Sequence, residues 1–242
     1  MHAALLKTHA LRARIEETLP SAFTVYRRAQ HGSIPVGIAQ IDETVGGIPL
    51  HALTEICGSG MASSGKTSVL TSLLAQASRE HFCALVDAAD SFDPTSAQAA
   101  GVHLPRLLWV RCGKSRVKLP PLEQAFKLAD ILLQSGGFGL IAVDLSGISE
   151  RIVRKVPLSS WFRFSRVIEK HPAALVFVEQ EPHATSCAAL VLRVEAAVPG
   201  CPSSLCGNLL TQLNVKVEIM RSPGKKMAGS ERRGFSLRTQ WA

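Results

Sequence analysis

The sequence predicts an α/β fold, a mainly parallel twisted sheet flanked by helices with a short N-terminal helix–strand arm. Three observations predict it. Short apolar runs alternate with helical patterns along most of the chain. Two of these runs, residues 82–87 and 140–144, end in a carboxylate, as buried parallel strands with functional groups at their C-terminal ends do. A glycine-containing loop, residues 60–67, stands between a strand pattern and a helix pattern.

The elements follow in order. Residues 3–19 read as a helix, because Leu11, Ile15 and Leu19 repeat every four residues and Pro20 stops the pattern. Residues 22–27 are strand-like, 32–35 form a turn, and 38–49 carry a Gly46-Gly47 break. Residues 52–57 read as the strand that enters the loop, and 68–79 as the helix that leaves it. Then come a strand at 82–87, helical character at 94–100 and a strand at 107–111. A helix at 122–134, apolar at 122, 125, 126, 129, 132 and 133, ends at Gly136-Gly137. Residues 140–144 form a strand, 161–170 a helix, and 174–180, 191–197 and 215–220 the last strands. The organisation is an arm at 1–36 for oligomer or partner docking, a core at 37–221 and a basic C-terminal tail at 222–242.

Composition excludes several classes. The 242 residues, 46% hydrophobic, suffice for one sizeable domain with its own core. No apolar run of about eighteen residues spans a membrane. The N-terminus lacks a signal-type apolar core, so export is not expected. Cys57, Cys83, Cys112 and Cys187 stand singly among apolar neighbours, as reduced core cysteines of a cytosolic protein do. The expected location is therefore the cytoplasm. Cys201 and Cys206 could bind metal or pair, but no second Cys/His pair stands at zinc spacing, which favours two unpaired thiols.

The net charge of +8 is concentrated in two segments. One holds Arg151, Arg154, Lys155, Arg163, Arg166 and Lys170; the other holds Arg221, Lys225, Lys226, Arg232, Arg233 and Arg238. Such clusters suit nucleic acid or an acidic protein face, and a solvated surface reads the same way. Trp161, Phe162 and Phe164 within the first segment suit either base stacking or a helix core.

The loop 60–67 fits G-x-x-x-x-G-K-[ST] at every fixed position. The glycines Gly60 and Gly65, with Ser63 and Ser64, let the backbone curl until its N–H groups face a phosphate chain. Lys66 reaches the β/γ oxygens, Thr67 offers a hydroxyl to magnesium, and the helix adds its positive N-terminal end. Asp144, ending a buried strand, is the expected second magnesium residue, its alternative being a helix or turn cap. The cofactors expected are ATP and magnesium.

Beyond these residues the chain resembles the RecA recombinase superfamily, and the expected core is RecA-like. Residues 37–47, the Glu55-Ile56 pair before the Ser63–Thr67 loop ending, the 86–94 string and Phe177-Val178-Glu179-Gln180 carry the resemblance. It implies that Gln180 senses the γ-phosphate, that Asp93 contacts the adenine amino group, and that the N-terminal helix and strand dock on a neighbouring subunit, making a homo-oligomer. The departures are equally specific. The family's catalytic Glu falls on Ala89, and a methyl group cannot aim a water or accept its proton. Asp90 rescues that role only if the backbone bends. The adenine-stacking Tyr falls on Ser96. Of the two DNA-facing loops, the first corresponds to 147–158 with Arg151, Arg154 and Lys155, and the second shrinks to 181–188 without a basic residue.

A short RecA-like chain with these losses is most similar to the ImuA family, accessory members of the damage-inducible (SOS) mutagenesis cassette. That resemblance implies translesion synthesis, weak or absent ATP hydrolysis, and three protein partners: an ImuB-like polymerase-fold protein, an error-prone C-family polymerase and RecA. Single-stranded DNA is a further partner, through Arg151, Arg154, Lys155, Lys225, Lys226, Arg232 and Arg233. Two alternatives remain: a DNA-stimulated ATPase of recombinase or mediator type, and a SulA-type division inhibitor, which has no need of the Lys66-Thr67 pair.

Overall fold

The computed structural model describes residues 32–59, 64–113, 119–196, 212–223 and the strand at 234–240. The arm helix 3–19, the strand 22–27, Gly60, Ser63, Cys201, Cys206, Lys225, Lys226, Arg232 and Arg233 lie outside the described residues.

The chain opens with β1 (Ser33–Ile34), which pairs antiparallel with β2 (Ile48–Pro49) across α1 (Ala39–Val45). Within the expected turn at 32–35, Ser33 and Ile34 form this two-residue strand. The Gly46-Gly47 break is a helix end: Gly46 adopts φ 78°, and its N–H donates to the Asp42 carbonyl. Next come β3 (Ala52–Cys57), α2 (Lys66–Glu80), β4 (Cys83–Asp87), α3 (Pro94–Ala99), β5 (Leu107–Arg111) and α4 (Pro121–Ser135). These are followed by β6 (Leu140–Asp144), α5 (Glu150–Val153), α6 (Leu158–Ile168), β7 (Ala174–Glu179), β8 (Ala188–Ala196), β9 (Gln212–Arg221) and β10 (Gly234–Gln240).

One sheet of eight strands results, in the order β10-β9-β8-β3-β7-β6-β4-β5. Pairings from β5 through β8 are parallel, and β8-β9 and β9-β10 are antiparallel. The segment read as a tail thus contributes a strand to the sheet edge.

Both faces of the central strands are covered, which is why β4, β6 and β7 read as apolar runs up to a terminal carboxylate. Ile56, Val176 and Val178 pack on one face with Leu70, Leu73 and Leu74 of α2. Leu53, Leu175 and Phe177 pack on the other with Leu133 of α4 and Trp161, Phe164 and Ile168 of α6. Phe126, Trp161, Phe164 and Phe177 form an edge-on aromatic cluster with centroids 4.9 to 5.9 Å apart. Trp161 and Phe164 are therefore core residues, and Phe162, 43% exposed, is the member of that trio at the surface. Cys57, Cys83, Cys112 and Cys187 are free and buried, as their apolar surroundings predict. No described helix is long and apolar enough to cross a membrane.

Candidate nucleotide site

The parallel strands bring their C-terminal ends to one edge of the sheet. Cys57 lies opposite Glu179, Asp144 opposite Val178, and Asp87 opposite Asp144. Residues far apart in sequence therefore converge at the start of α2.

Gly58, just after β3, is enclosed: a Cβ there would stand 2.3 Å from the Val194 carbonyl oxygen and 2.8 Å from Ser64 Oγ. Ser64 is buried, and Gly65, with φ of 86°, turns the chain into α2. Lys66 is buried, with its Nζ 3.1 Å from the Gly58 carbonyl it donates to, and its N–H faces Ser64 Oγ at 3.4 Å. Burial pulls the Lys66 ammonium down from its ordinary range, while the Asp144 carboxylate opposes that shift. Asp144 is 5% exposed, and its Oδ1 accepts the Ser146 N–H at 2.9 Å. Burial pushes its carboxyl upward, against the Ser146 hydrogen bond, with Asp87 adding to the rise and Lys66 countering it. Thr67 stands in the first turn of α2 with an exposed side chain. Lys66 and Thr67 thus open α2, and Asp144 ends β6 close enough to act on the Lys66 ammonium.

Gln180 lies directly beyond β7, between the loop strand and the Asp144 strand. Its Nε2 donates to the Ser146 and Ile148 carbonyls at 3.3 and 3.1 Å, tying it to the segment that runs from Asp144 into α5. Arg151, Arg154 and Lys155 are exposed on and just after α5.

The segment after β4 departs most from expectation. Asp87 is buried, and its Oδ1 accepts the Ser91 N–H at 3.1 Å; its Oδ2 accepts the Phe92 N–H at 2.9 Å and Trp109 Nε1–H at 3.3 Å. This curls residues 88–92. The backbone does bend at Asp90, where φ is 57°, but the Asp90 carboxylate forms a two-pronged ion pair with Arg111, whose NH2 lies 2.8 Å away. Both oxygens are engaged by a guanidinium, so Asp90 is a poor proton acceptor as placed. Ala89 is exposed, and its methyl covers Gly147: a Cβ on Gly147 would lie 2.3 Å from it. Gly147→Ala should therefore push the two loops apart, costing about 1–3 kcal/mol as overpacking does. Thermal unfolding checks this, and an unchanged Tm counts against the contact.

Asp93 is the N-cap of α3, accepting from the Thr95 and Ser96 N–H groups at 3.1 Å each and from the Ser96 hydroxyl. The Ser96 bonds hold its carboxyl below the usual range. Ser96 thus does more than omit an aromatic ring, because it occupies the carboxylate expected to meet adenine. Asp-Pro-Thr-Ser at a helix start is a capping signal that sequence alone carried.

Sequence reasoning also missed a group beside the site. Glu55 and Glu179 are buried at 0% and 1% exposure on neighbouring strands, and both contact His183. A separate cleft of about 240 Å³, lined by residues including His81, Phe138 and His171, lies at the opposite end of the strands. None of the residues singled out for binding lines it.

Comparison with known proteins agrees with the fold. A family model described as the RecA N-terminal domain matches residues 25–150, just over half of the chain. Protein RecA of Ectopseudomonas oleovorans is 41% identical over 101 residues, 41% of this chain and 26% of that protein. Protein RecA of Methylococcus capsulatus is 36% identical over 115 residues, 46% of this chain and 30% of that protein. Protein RecA of Fusobacterium nucleatum is 35% identical over 116 residues, covering 46% and 28%. The chain thus spans less than a third of the length of these relatives.

Proposed function

The chain belongs to the RecA N-terminal domain family, and from that premise we propose that it binds ATP with magnesium and hydrolyses it weakly or not at all. One observation carries the reading. Lys66 and Asp144, opposite charges that burial disfavours, act on one another near the start of α2, while position 89 offers only a methyl group.

The residues present fit the cofactor. A buried ammonium gains from a polyphosphate, and a buried carboxylate gains from a divalent cation. The Gly58 cradle, too small for a Cβ, suits a backbone that curls around phosphates. Ser64, Gly65 and Lys66 would hold the phosphates, and Thr67 and Asp144 the metal. Bound magnesium–ATP supplies the phosphoanhydride bond that a positioned water can attack. Lys66 orients that end of the site, and Gln180 joins it to the 146–148 segment. At the position of the family's catalytic Glu nothing takes the water's proton, since Ala89 cannot and its neighbour Asp90 is held by Arg111.

The biological role in this reading is that of an ImuA-type accessory protein in damage-induced translesion synthesis. It would work in the cytoplasm through polymerase partners, RecA and single-stranded DNA. The exposed Arg151, Arg154 and Lys155 beside the Gln180-linked segment support a polyanion or acidic-protein contact there. The short, firmly bonded 181–187 segment supports a protein that does not act as a recombinase by itself.

The deciding experiment is ATP binding and turnover, with and without single-stranded DNA. Wild type is expected to bind ATP with magnesium and release little phosphate. Ala89→Glu is expected to raise turnover by about 10²-fold or more, the usual worth of a positioned base. Wild-type turnover at the rate of an ordinary recombinase would sink the reading.

A further inference from the structure

Glu55 and Glu179 form a buried acid pair that phosphate and metal binding leave unused. Glu55 lies opposite Phe177 on the adjacent parallel strand, so Glu179, two residues on, projects from the same face. Glu55 Oε1 accepts the N–H groups of His183 and Ala184, each at 2.6 Å. Glu179 Oε2 lies 2.8 Å from His183 Nδ1. The two remaining oxygens, Glu55 Oε2 and Glu179 Oε1, are buried and have no hydrogen-bond partner among the described residues. Two ionised carboxylates in one dry pocket would repel and leave both oxygens unsatisfied. A single proton on one of them, donated to the other, satisfies both.

We propose that Glu55 and Glu179 share one proton between these oxygens, and that the protonated pair clamps residues 181–184 and thereby positions Gln180 against the Ser146 and Ile148 carbonyls. The significance of Gln180 rests on the nucleotide reading; the clamp itself does not. Glu55 and Glu179 are positioning residues, acting through the segment that follows Gln180.

The charged surroundings are few. Glu181 is paired with Arg193 of β8 at 3.1 and 2.6 Å. Arg221 of β9 donates to the Thr185 carbonyl and, at 3.1 Å, to that of Ala188. Glu150 of α5 acts on His183 from a distance. Cys57 and Cys187 are kept as thiols by burial. The buried residues of α6 are Trp161, Phe164, Ser165 and Ile168, none of them titratable.

The direction of the pH response follows. Burial pushes Glu179 up to about 7 and also raises Glu55, and the Glu179 hydrogen bond raises His183. An acid raised in the folded state holds a proton that the unfolded chain has already lost. Its stabilising contribution is complete below about 4.5 and is lost as pH climbs to about 7. His183, also raised, acts in the same sense, its contribution being lost as pH rises through its elevated value. The clamp is therefore closed in mild acid and released above neutrality.

Amide exchange followed by NMR on the full chain without nucleotide tests this. In wild type, the opening constant at His183 and Ala184, corrected for intrinsic exchange, should climb by up to about tenfold per pH unit between about 4.5 and 7, as loss of one proton on opening requires, and level off above that. The Gln180 side-chain amide protons should lose protection in parallel. In Glu179→Gln, the carboxamide N–H replaces the shared proton toward Glu55 while its oxygen still faces His183. Protection there should stay flat with pH, and Glu55→Gln should behave alike. A flat wild-type profile, or a Gln variant with the wild-type slope, overturns the shared proton. Loss of protection at 183–184 with Gln180 unchanged overturns the positioning. Because no nucleotide is present, either failure is separate from a failure to bind ATP.

Discussion

Replacing Lys66 by Ala is expected to abolish the stabilisation that magnesium–ATP confers. A ligand at a hundredfold excess over its Kd stabilises the folded state by about 2.7 kcal/mol. For a chain of this size each kcal/mol moves Tm by about 2–4 °C, so wild type should rise by about 5–11 °C. The variant should not rise. Lys66 is buried against the Gly58 carbonyl at the N-terminus of α2, where the ammonium and the helix end would act on the same bound phosphates. The variant should fold without ligand, because losing one hydrogen bond is offset by losing a desolvated charge. That makes the ligand-induced shift the informative quantity. Equal shifts in differential scanning calorimetry for wild type and Lys66→Ala would refute the site.

How much of this was legible in the sequence depends on whether the signal is local. Strands β3, β5 and β6 occur where their apolar runs begin and end. Every residue of β3 and β6 is buried; in β6 no polar residue precedes the terminal Asp144, whereas β3 carries Thr54 and Glu55 within the run. Lys66 and Asp144 were legible for the same reason, one from fixed loop spacing and the other from its place at a strand end. The sheet edge was less so. The basic residues before and within β10, Lys225, Lys226, Arg232, Arg233 and Arg238, read as a tail and mask its pairing with β9, the strand before it. The Glu55–His183 bond joins residues 128 positions apart, and nothing in either neighbourhood announces it. Asp90 is a middle case. Sequence allowed a bend there, and the bend exists, but the Arg111 partner that decides its chemistry arrives from β5.

The other large effect is expected at Asp87, where even the isosteric change to Asn should fail. Three donors converge on this buried carboxylate, the Ser91 N–H on one oxygen and the Phe92 N–H and Trp109 indole on the other. Asn has one acceptor oxygen and one NH2 group, so whichever way the amide turns, a donor faces a donor. An orphaned buried donor costs about 1–3 kcal/mol, and the clash makes relaxation harder. Asp87→Asn should therefore lose about 3 kcal/mol, which lowers Tm by about 6–12 °C at this chain length. The curl of residues 88–92 would loosen with it, and that curl sets Ala89 over Gly147 and Asp90 against Arg111. The fold-level and site-level consequences separate cleanly. Lys66 and Gly58 lie on other elements, so the ATP-induced rise in Tm should survive in Asp87→Asn while the starting Tm falls. A variant as stable as wild type would show that the carboxylate does not organise this loop. A variant that folds but has lost the ATP-induced rise would show that the 88–92 loop takes part in gripping the nucleotide.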